Sequence, residues 1–110
     1  MKTVATRFAP SPTGPLHIGG VRTALFNWLY SKNKGGKFYL RIEDTDKERS
    51  KDEFKKQIIN SLKWIGINYE DSEYIQSDKI DDHINVANEL LKKGLAYKCY
   101  CSSEETVSYT

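Results

Sequence analysis

Pro10-Ser11-Pro12-Thr13-Gly14-Pro15-Leu16-His17-Ile18-Gly19-Gly20 lies between a short apolar run, Val4 to Phe8, and a periodic helical segment that starts near Val21. A strand, a loop dense in proline and glycine, then a helix N-terminus is the arrangement in which α/β proteins hold phosphates. Free N–H groups and the helix dipole favour an anion there, and the loop backbone can approach it closely. The loop therefore points to nucleotide chemistry. Before it, Val4 to Ala9 reads as a buried strand ending at Pro10. After it, Val21, Ala24, Leu25, Trp28 and Leu29 recur at i, i+3, i+4, i+7 and i+8, the spacing of an amphipathic helix. Gly35-Gly36 breaks that helix. Lys37 to Ile42 then alternates, with Phe38, Leu40 and Ile42 on one face, and reads as a second strand. Strand, helix and strand make one βαβ unit, so the predicted fold class is α/β with a parallel sheet and a right-handed crossover.

Further along, Ser50-Lys51-Asp52-Glu53 has the form of a capping box for a second helix, whose apolar stripe is Phe54, Ile58, Leu62 and Ile65 and whose stop is Gly66. Ser77-Asp78 predicts a third helix with Asp78, Asp81 and Asp82 in its first turn, Lys92 and Lys93 in its last, and Gly94 beyond. Ile80, Ile84, Ala87 and Leu91 supply its expected buried face. Leu95 to Cys101 reads as extended, and Ser102-Ser103-Glu104-Glu105 is another capping box. That box announces a helix with only Thr106 to Thr110 left to build it, so the chain reads as a piece of something longer.

Composition narrows the class. Of the 110 residues, 38% are hydrophobic and 29% charged, and the net charge is +2, which fits a soluble globular domain and neither a disordered chain nor a membrane span. No apolar stretch approaches the roughly 20 residues that cross a bilayer. Met1-Lys2-Thr3-Val4 has no signal core, so a cytoplasmic location without membrane contact is expected. Acids and bases interleave from Arg41 to Lys56, and net charge alone makes no case for nucleic acid.

Four groups of side chains could carry chemistry. His17 reads either as a donor aimed at a phosphate or as a loop histidine beside a flexible turn. Arg7, leaving the end of the first strand, suits a carboxylate through a bidentate pair, or is a solvated edge charge. Arg41-Ile42-Glu43-Asp44-Thr45-Asp46 packs three carboxylates at the end of the second strand, where Glu43 could accept from a substrate ammonium or simply face solvent. The spacing is not that of a calcium loop. Cys99-Tyr100-Cys101 is half of a zinc set or a pair of unpaired cysteines, too close for an ordinary disulfide.

Taken in order, Arg7-Phe8-Ala9-Pro10-Ser11-Pro12-Thr13-Gly14, Leu16-His17-Ile18-Gly19-Gly20, Arg22-Thr23-Ala24-Leu25-Phe26-Asn27-Trp28, Gly35-Gly36-Lys37-Phe38 and Arg41-Ile42-Glu43-Asp44-Thr45-Asp46 resemble the bacterial-type glutamyl-tRNA synthetases. The likeness runs from about Thr6 to Glu105. It implies the N-terminal half of a class I Rossmann-type catalytic domain, filling residues 1–110 and entering the zinc or acceptor-end insertion near 97–110. The "HIGH" signature reads His17-Ile18-Gly19-Gly20 here, with Gly20 in place of the second histidine. The implied reaction joins glutamate to ATP with Mg²⁺, giving glutamyl-adenylate, and then passes the acyl group to tRNA(Glu). The resemblance puts Pro10, Gly14, His17, Gly19 and Gly20 around ATP, with His17 catalytic. It puts Arg7, Ala9, Ser11 and Glu43 around glutamate, Asp46, Lys47 and Arg49 toward the tRNA acceptor end, and Cys99 and Cys101 as the first two of four zinc ligands in zinc-containing members.

No Lys-Met-Ser-Lys-Ser-like loop is present, so the chain alone is expected to charge no tRNA. The parent is expected to be monomeric, while the uncovered half-sheet favours self-association of the chain alone. The nearest rivals are a glutamyl-queuosine tRNA(Asp) synthetase and a non-catalytic nucleotide- or tRNA-binding module. Thr13, Gly19-Gly20 and Thr45 favour the ordinary glutamyl enzyme over the former.

Overall fold

Strand β1 (Ala5–Phe8) and strand β2 (Lys37–Ile42) run parallel with helix α1 (Ile18–Asn33) between them, so the βαβ unit forms as its periodicity predicts. The computed structural model describes residues 2–107. Its contacts separate it into two units, residues 1–78 and residues 79–110.

In the first unit, β1 pairs with β2 in the register Ala5 to Lys37 and Phe8 to Leu40. The strands can meet this closely because position 36 is glycine, since a Cβ there would collide with the Val4 carbonyl. Side chains alternate across a strand. Phe8, Phe38, Leu40 and Ile42 therefore share one face, where they join Ala24 of α1, Ile58 and Leu62 of helix α2 (Asp52–Ile65), and Ile67 in one buried cluster. The other face carries Arg7, Tyr39 and Arg41. α2 ends where it was expected to, at Gly66 in the left-handed region with φ 86°. Thr6 Oγ1 donates to the Asn27 carbonyl at 2.8 Å and ties β1 to α1.

A third strand, β3 (Tyr74–Ile75), adds in parallel beside β2, giving the order β1-β2-β3. No sequence signal announced it, because two residues are too few to show alternation. The chain is led back to β2 by the Glu70 N–H, which donates to the Phe38 carbonyl at 2.8 Å.

The second unit holds helix α3 (Ile80–Lys92), preceded by a 3-10 turn (Gln76–Lys79), and helix α4 (Ser103–Val107). Here one expectation fails. The face expected to be buried is open: Ile80 is 50% and Ile84 51% exposed, and Ala87 is exposed as well. Leu95 to Cys101 forms no strand ladder. The Ser102 box forms as read, with the Ser102 N–H donating to Glu105 Oε2 at 2.8 Å and the Glu105 N–H to Ser102 Oγ at 3.2 Å.

The cluster makes a direct prediction. Phe38→Ala removes a side chain that is 1% exposed at the middle of the core and should cost about 3–5 kcal/mol. The urea midpoint of the chain reads it, and Lys37→Ala, at an exposed neighbouring position, should move stability by less than about 0.5 kcal/mol.

Candidate nucleotide and amino-acid site

The loop after β1 is pinned from three sides. Proline cannot donate, so Pro10 and Pro12 can be held only through their carbonyls. Pro10 O accepts from the Glu43 N–H at 2.9 Å and Pro12 O from the Lys51 N–H at 3.1 Å. The Leu16 N–H donates to Gln57 Oε1 on α2 at 2.8 Å, and Gln57 Nε2 donates onward to Ser61 Oγ at 3.1 Å. Leu16 then packs against the core beside Gly20, where any Cβ would press on the Leu16 methyl. Backbone that would otherwise be mobile is set by long-range bonds.

The helix starts at Ile18 and not near Val21, because His17 is its N-cap. His17 is extended, φ −102° and ψ 170°, and its Nδ1 accepts from the Gly19 N–H at 3.2 Å. Gly19 lets the ring fold back this far, since a Cβ there would stand 3.0 Å from the imidazole. While Nδ1 accepts it carries no proton, so in this arrangement the ring's N–H is on Nε2. His17 is exposed, and Nε2–H is a donor left over at a helix N-terminus. Beside it, a cavity of about 230 Å³ is lined by Pro10, Ser11, Gly14, His17 and Gly20 among others. Four of the five residues expected around ATP thus meet at one hollow. Gly19 is not among its walls, and its smallness serves the cap. At Gly14 a Cβ would touch nothing, so the chain itself does not require glycine there.

The expected glutamate residues lie at the exits of β1 and β2. Arg7 is exposed on the open sheet face and has no hydrogen-bond or ion-pair partner among the described residues. It borders a hollow of about 430 Å³ with Tyr39, Arg41 and Tyr74. Residues 9–11 continue β1, and the Glu43–Pro10 bond draws Glu43 alongside them. Arg41 Nε stands 3.5 Å from Glu43 Oε1, and its guanidinium lies 5.5 Å above the Tyr74 ring. This end of the sheet offers one unpaired cation and one carboxylate with an oxygen to spare.

The other carboxylates of the motif have local duties. Asp44 accepts from the Ser77 N–H at 2.9 Å and from Ser77 Oγ at 2.6 Å. Ser77 therefore does not open α3 as expected. It closes a clamp between the β2 exit and the end of β3. Burial pushes the Asp44 carboxyl up, but the two Ser77 bonds and the charge of Lys55 outweigh it and hold the group below its ordinary 3.8. A depressed folded value gives stabilisation that is complete above the unfolded value and disappears as pH falls through the folded one. The exchange protection of the Ser77 amide should accordingly stay level down to about pH 5 and fall only below 3.8. Loss of protection above that value would contradict the clamp.

Asp46 and Arg49 face each other. Arg49 Nε donates to Asp46 Oδ2 at 2.6 Å and the Arg49 N–H to Oδ1 at 3.2 Å, which lowers the Asp46 carboxyl chiefly through the guanidinium. Lys47, exposed in the same turn, has no such partner among the described residues. The Ser50 capping box does not form: α2 begins at Asp52 with Lys51 at its cap, and Ser50 Oγ is buried without a partner among the described residues.

Cys99 and Cys101 are exposed in the second unit. Zinc needs four ligands, and among the described residues no three of His, Cys, Asp and Glu gather to hold an ion, so these thiols do not make a zinc site by themselves. Among the described residues no helix is long and apolar enough to cross a membrane. Gln57, Ser77 and Tyr74 were not anticipated as supports of the site. Only Gln57 left a trace, as a polar residue bordering the Phe54–Ile58 stripe.

The family model for the catalytic domain of class I tRNA synthetases (E and Q) matches residues 3–109. The glutamate–tRNA ligase of Pelagibacter ubique (strain HTCC1062) is 81% identical over 105 residues, covering 96% of this chain and 22% of that protein. That of Buchnera aphidicola subsp. Baizongia pistaciae is 55% identical over 101 residues, 92% of this chain and 21% of that one. The crystal structure of a glutamate tRNA ligase from Elizabethkingia meningosepticum in complex with its amino acid superposes with a TM-score of 0.82 at 41% identity, over 98% of this chain and 23% of that one. The chain spans about a fifth of the length of the curated relatives it matches. By sequence, fold and the order of its motifs, the chain belongs to the class I tRNA synthetases (E and Q) and lies within their catalytic domain.

Proposed function

We propose that this chain supplies the first half of the amino-acid-activating site of a glutamate–tRNA ligase. Residues 1–110 are then the N-terminal part of the Rossmann domain, turning toward the acceptor-end insertion near 97–110. The glutamate α-carboxylate attacks the α-phosphate of ATP, pyrophosphate leaves, and the glutamyl group passes from the adenylate to tRNA(Glu). Pro10, Gly14, Gly19 and Gly20 make the floor for ATP. His17 donates from Nε2 to an α-phosphate oxygen as charge builds there. Arg7 pairs with the side-chain carboxylate of glutamate, Glu43 takes the α-ammonium, and Ala9 and Ser11 close the pocket between them. Asp46, Lys47 and Arg49 face the tRNA acceptor end. Mg²⁺ would come with the phosphates, where it neutralises their charge. The enzyme is assigned to the cytoplasm and acts as a monomer.

One observation carries this reading: a loop held from β2 and α2 presents a histidine N–H at a helix start, and the strand that leads into that loop carries an arginine without a partner among the described residues. Chemistry of this kind rests on positioning and charge stabilisation more than on covalent help. The test is a chimera in which the chain replaces the matching segment of the Pelagibacter ubique ligase. It should catalyse glutamate-dependent exchange of pyrophosphate into ATP, assayed with and without tRNA, at a rate comparable to the unaltered ligase. A folded chimera with no exchange under either condition sinks the proposal. The chain alone should charge no tRNA, and charging by the purified chain would show that the rest of the domain is dispensable.

A further inference from the structure

We infer that Arg41, seated on Tyr74, is a positioning residue that holds the Glu43 carboxylate in place for the substrate ammonium. The inference rests on the activity proposed above and adds a second layer to it.

Glu43 needs such support. It is the first residue beyond β2, and its side chain is 36% exposed. Arg41 is its one ion-pair partner among the described residues, and no side-chain hydrogen bond holds it. A glutamate at a strand exit has three rotatable bonds, and ordering it at the moment of binding costs affinity. A carboxylate that selects an ammonium by position has to be ordered beforehand.

Arg41 has the means to order it. Residues 41 and 43 lie on the same face by strand alternation. Arg41 is paired in register with Tyr74 of β3, and its guanidinium lies 5.5 Å from the centre of that ring, within cation–π range. Stacking fixes the plane of the guanidinium, so little freedom remains to be lost when it binds a partner. Its Nε is buried and has no hydrogen-bond partner among the described residues, which is costly for a charged donor. The acceptor it faces is Glu43 Oε1, at 3.5 Å, an ion-pair contact just beyond a good hydrogen bond. A short inward move of the Glu43 side chain would satisfy Nε and leave Oε2 facing outward. Site contacts of this length commonly close when the substrate arrives. The ion pair already keeps Oε1 on the Arg41 side before any substrate arrives, which leaves Oε2 for an ammonium.

The competing role for Arg41 is purely structural, a staple between β2 and β3. The two roles separate in kinetics, measured on the Pelagibacter chimera. Arg41→Gln should raise KM for glutamate about 10-fold, with KM for ATP and the thermal midpoint unchanged. Tyr74→Leu keeps every charge but removes the ring, and should raise KM for glutamate about 3-fold. Tyr74→Phe should recover most of that loss. A glutamate KM that stays at the parental value in both Arg41→Gln and Tyr74→Leu overturns the inference. So does a rise matched by an equal rise in KM for ATP, the result expected of a staple. Should Arg41→Gln fail to fold, Tyr74→Leu decides alone. A chimera without glutamate-dependent exchange removes the proposed activity and this inference with it, whereas an active chimera with neutral variants removes the inference only.

Discussion

Replacing His17 with serine should leave α1 standing and still cut glutamate-dependent pyrophosphate exchange in the Pelagibacter chimera by about 100- to 1,000-fold. The two jobs of this residue lie on different nitrogens. Nδ1 caps the helix through the Gly19 N–H, and Nε2 is left to donate outward. Serine is a good N-cap and can take over the first job, but it is too short to reach a phosphate in the cavity. His17→Ala loses both, so it should show the same kinetic defect plus a stability loss of about 0.5–2 kcal/mol. The comparison of the two variants is the informative part. If serine restores activity along with the cap, His17 serves the loop only as a structural residue. If both variants are equally inactive while only alanine is destabilised, the donor role stands apart from the cap. The defect should appear in kcat, because a donor aimed at charge that develops during reaction stabilises the transition state more than bound ATP.

Most of the framework was readable from local pattern. The apolar alternation of Phe38, Leu40 and Ile42 and the stripe of Ile58 and Leu62 both became core, since burial of an apolar face depends little on distant detail. The misread helix starts share one kind of cause. Ser50-Glu53 and Ser102-Glu105 carry equally good capping boxes, yet only the second forms. Near Ser50 one of the box's own donors is taken: the Ser50 N–H goes to the Asp46 carbonyl at 2.9 Å, while the Pro12 carbonyl takes the Lys51 N–H, the chain stays extended at Lys51, and the helix starts at Asp52. Ser77 is diverted from α3 in the same way, by Asp44, 33 residues earlier in the chain. His17 shows the reverse. Read as a ligand residue, it is also a cap, and the cap moved the start of α1 forward. Capping chemistry is local and legible until another polar group, near in the chain as at Ser50 or distant as at Ser77, takes the capping residue's donors, and such groups concentrate where loops converge on a site. The exposed face of α3 is a different matter: its helical periodicity was right, but its apolar residues stand exposed among the described residues.

Arg7 carries the second large expectation. It is the one cation of the proposed glutamate pocket without a counter-charge, whereas Arg41 already faces Glu43 and Arg49 is held by Asp46. An unpaired guanidinium at a strand exit presents two parallel N–H donors that match a carboxylate. Arg7→Ala in the chimera should therefore raise KM for glutamate by about 100-fold or more, because a bound side-chain carboxylate would be left without its partner. KM for ATP should change little, since the cavity beside His17 is built from the loop and not from Arg7. Arg7→Lys keeps the charge but loses the planar fork, and should fall between, at about 10-fold. The selectivity for glutamate over glutamine should weaken in the same order, because the advantage of a carboxylate over an amide at this position is the charge it meets. Arg7→Ala retaining parental KM and selectivity would place the recognition of the side-chain carboxylate elsewhere in the protein and reduce Arg7 to a solvated charge on the sheet.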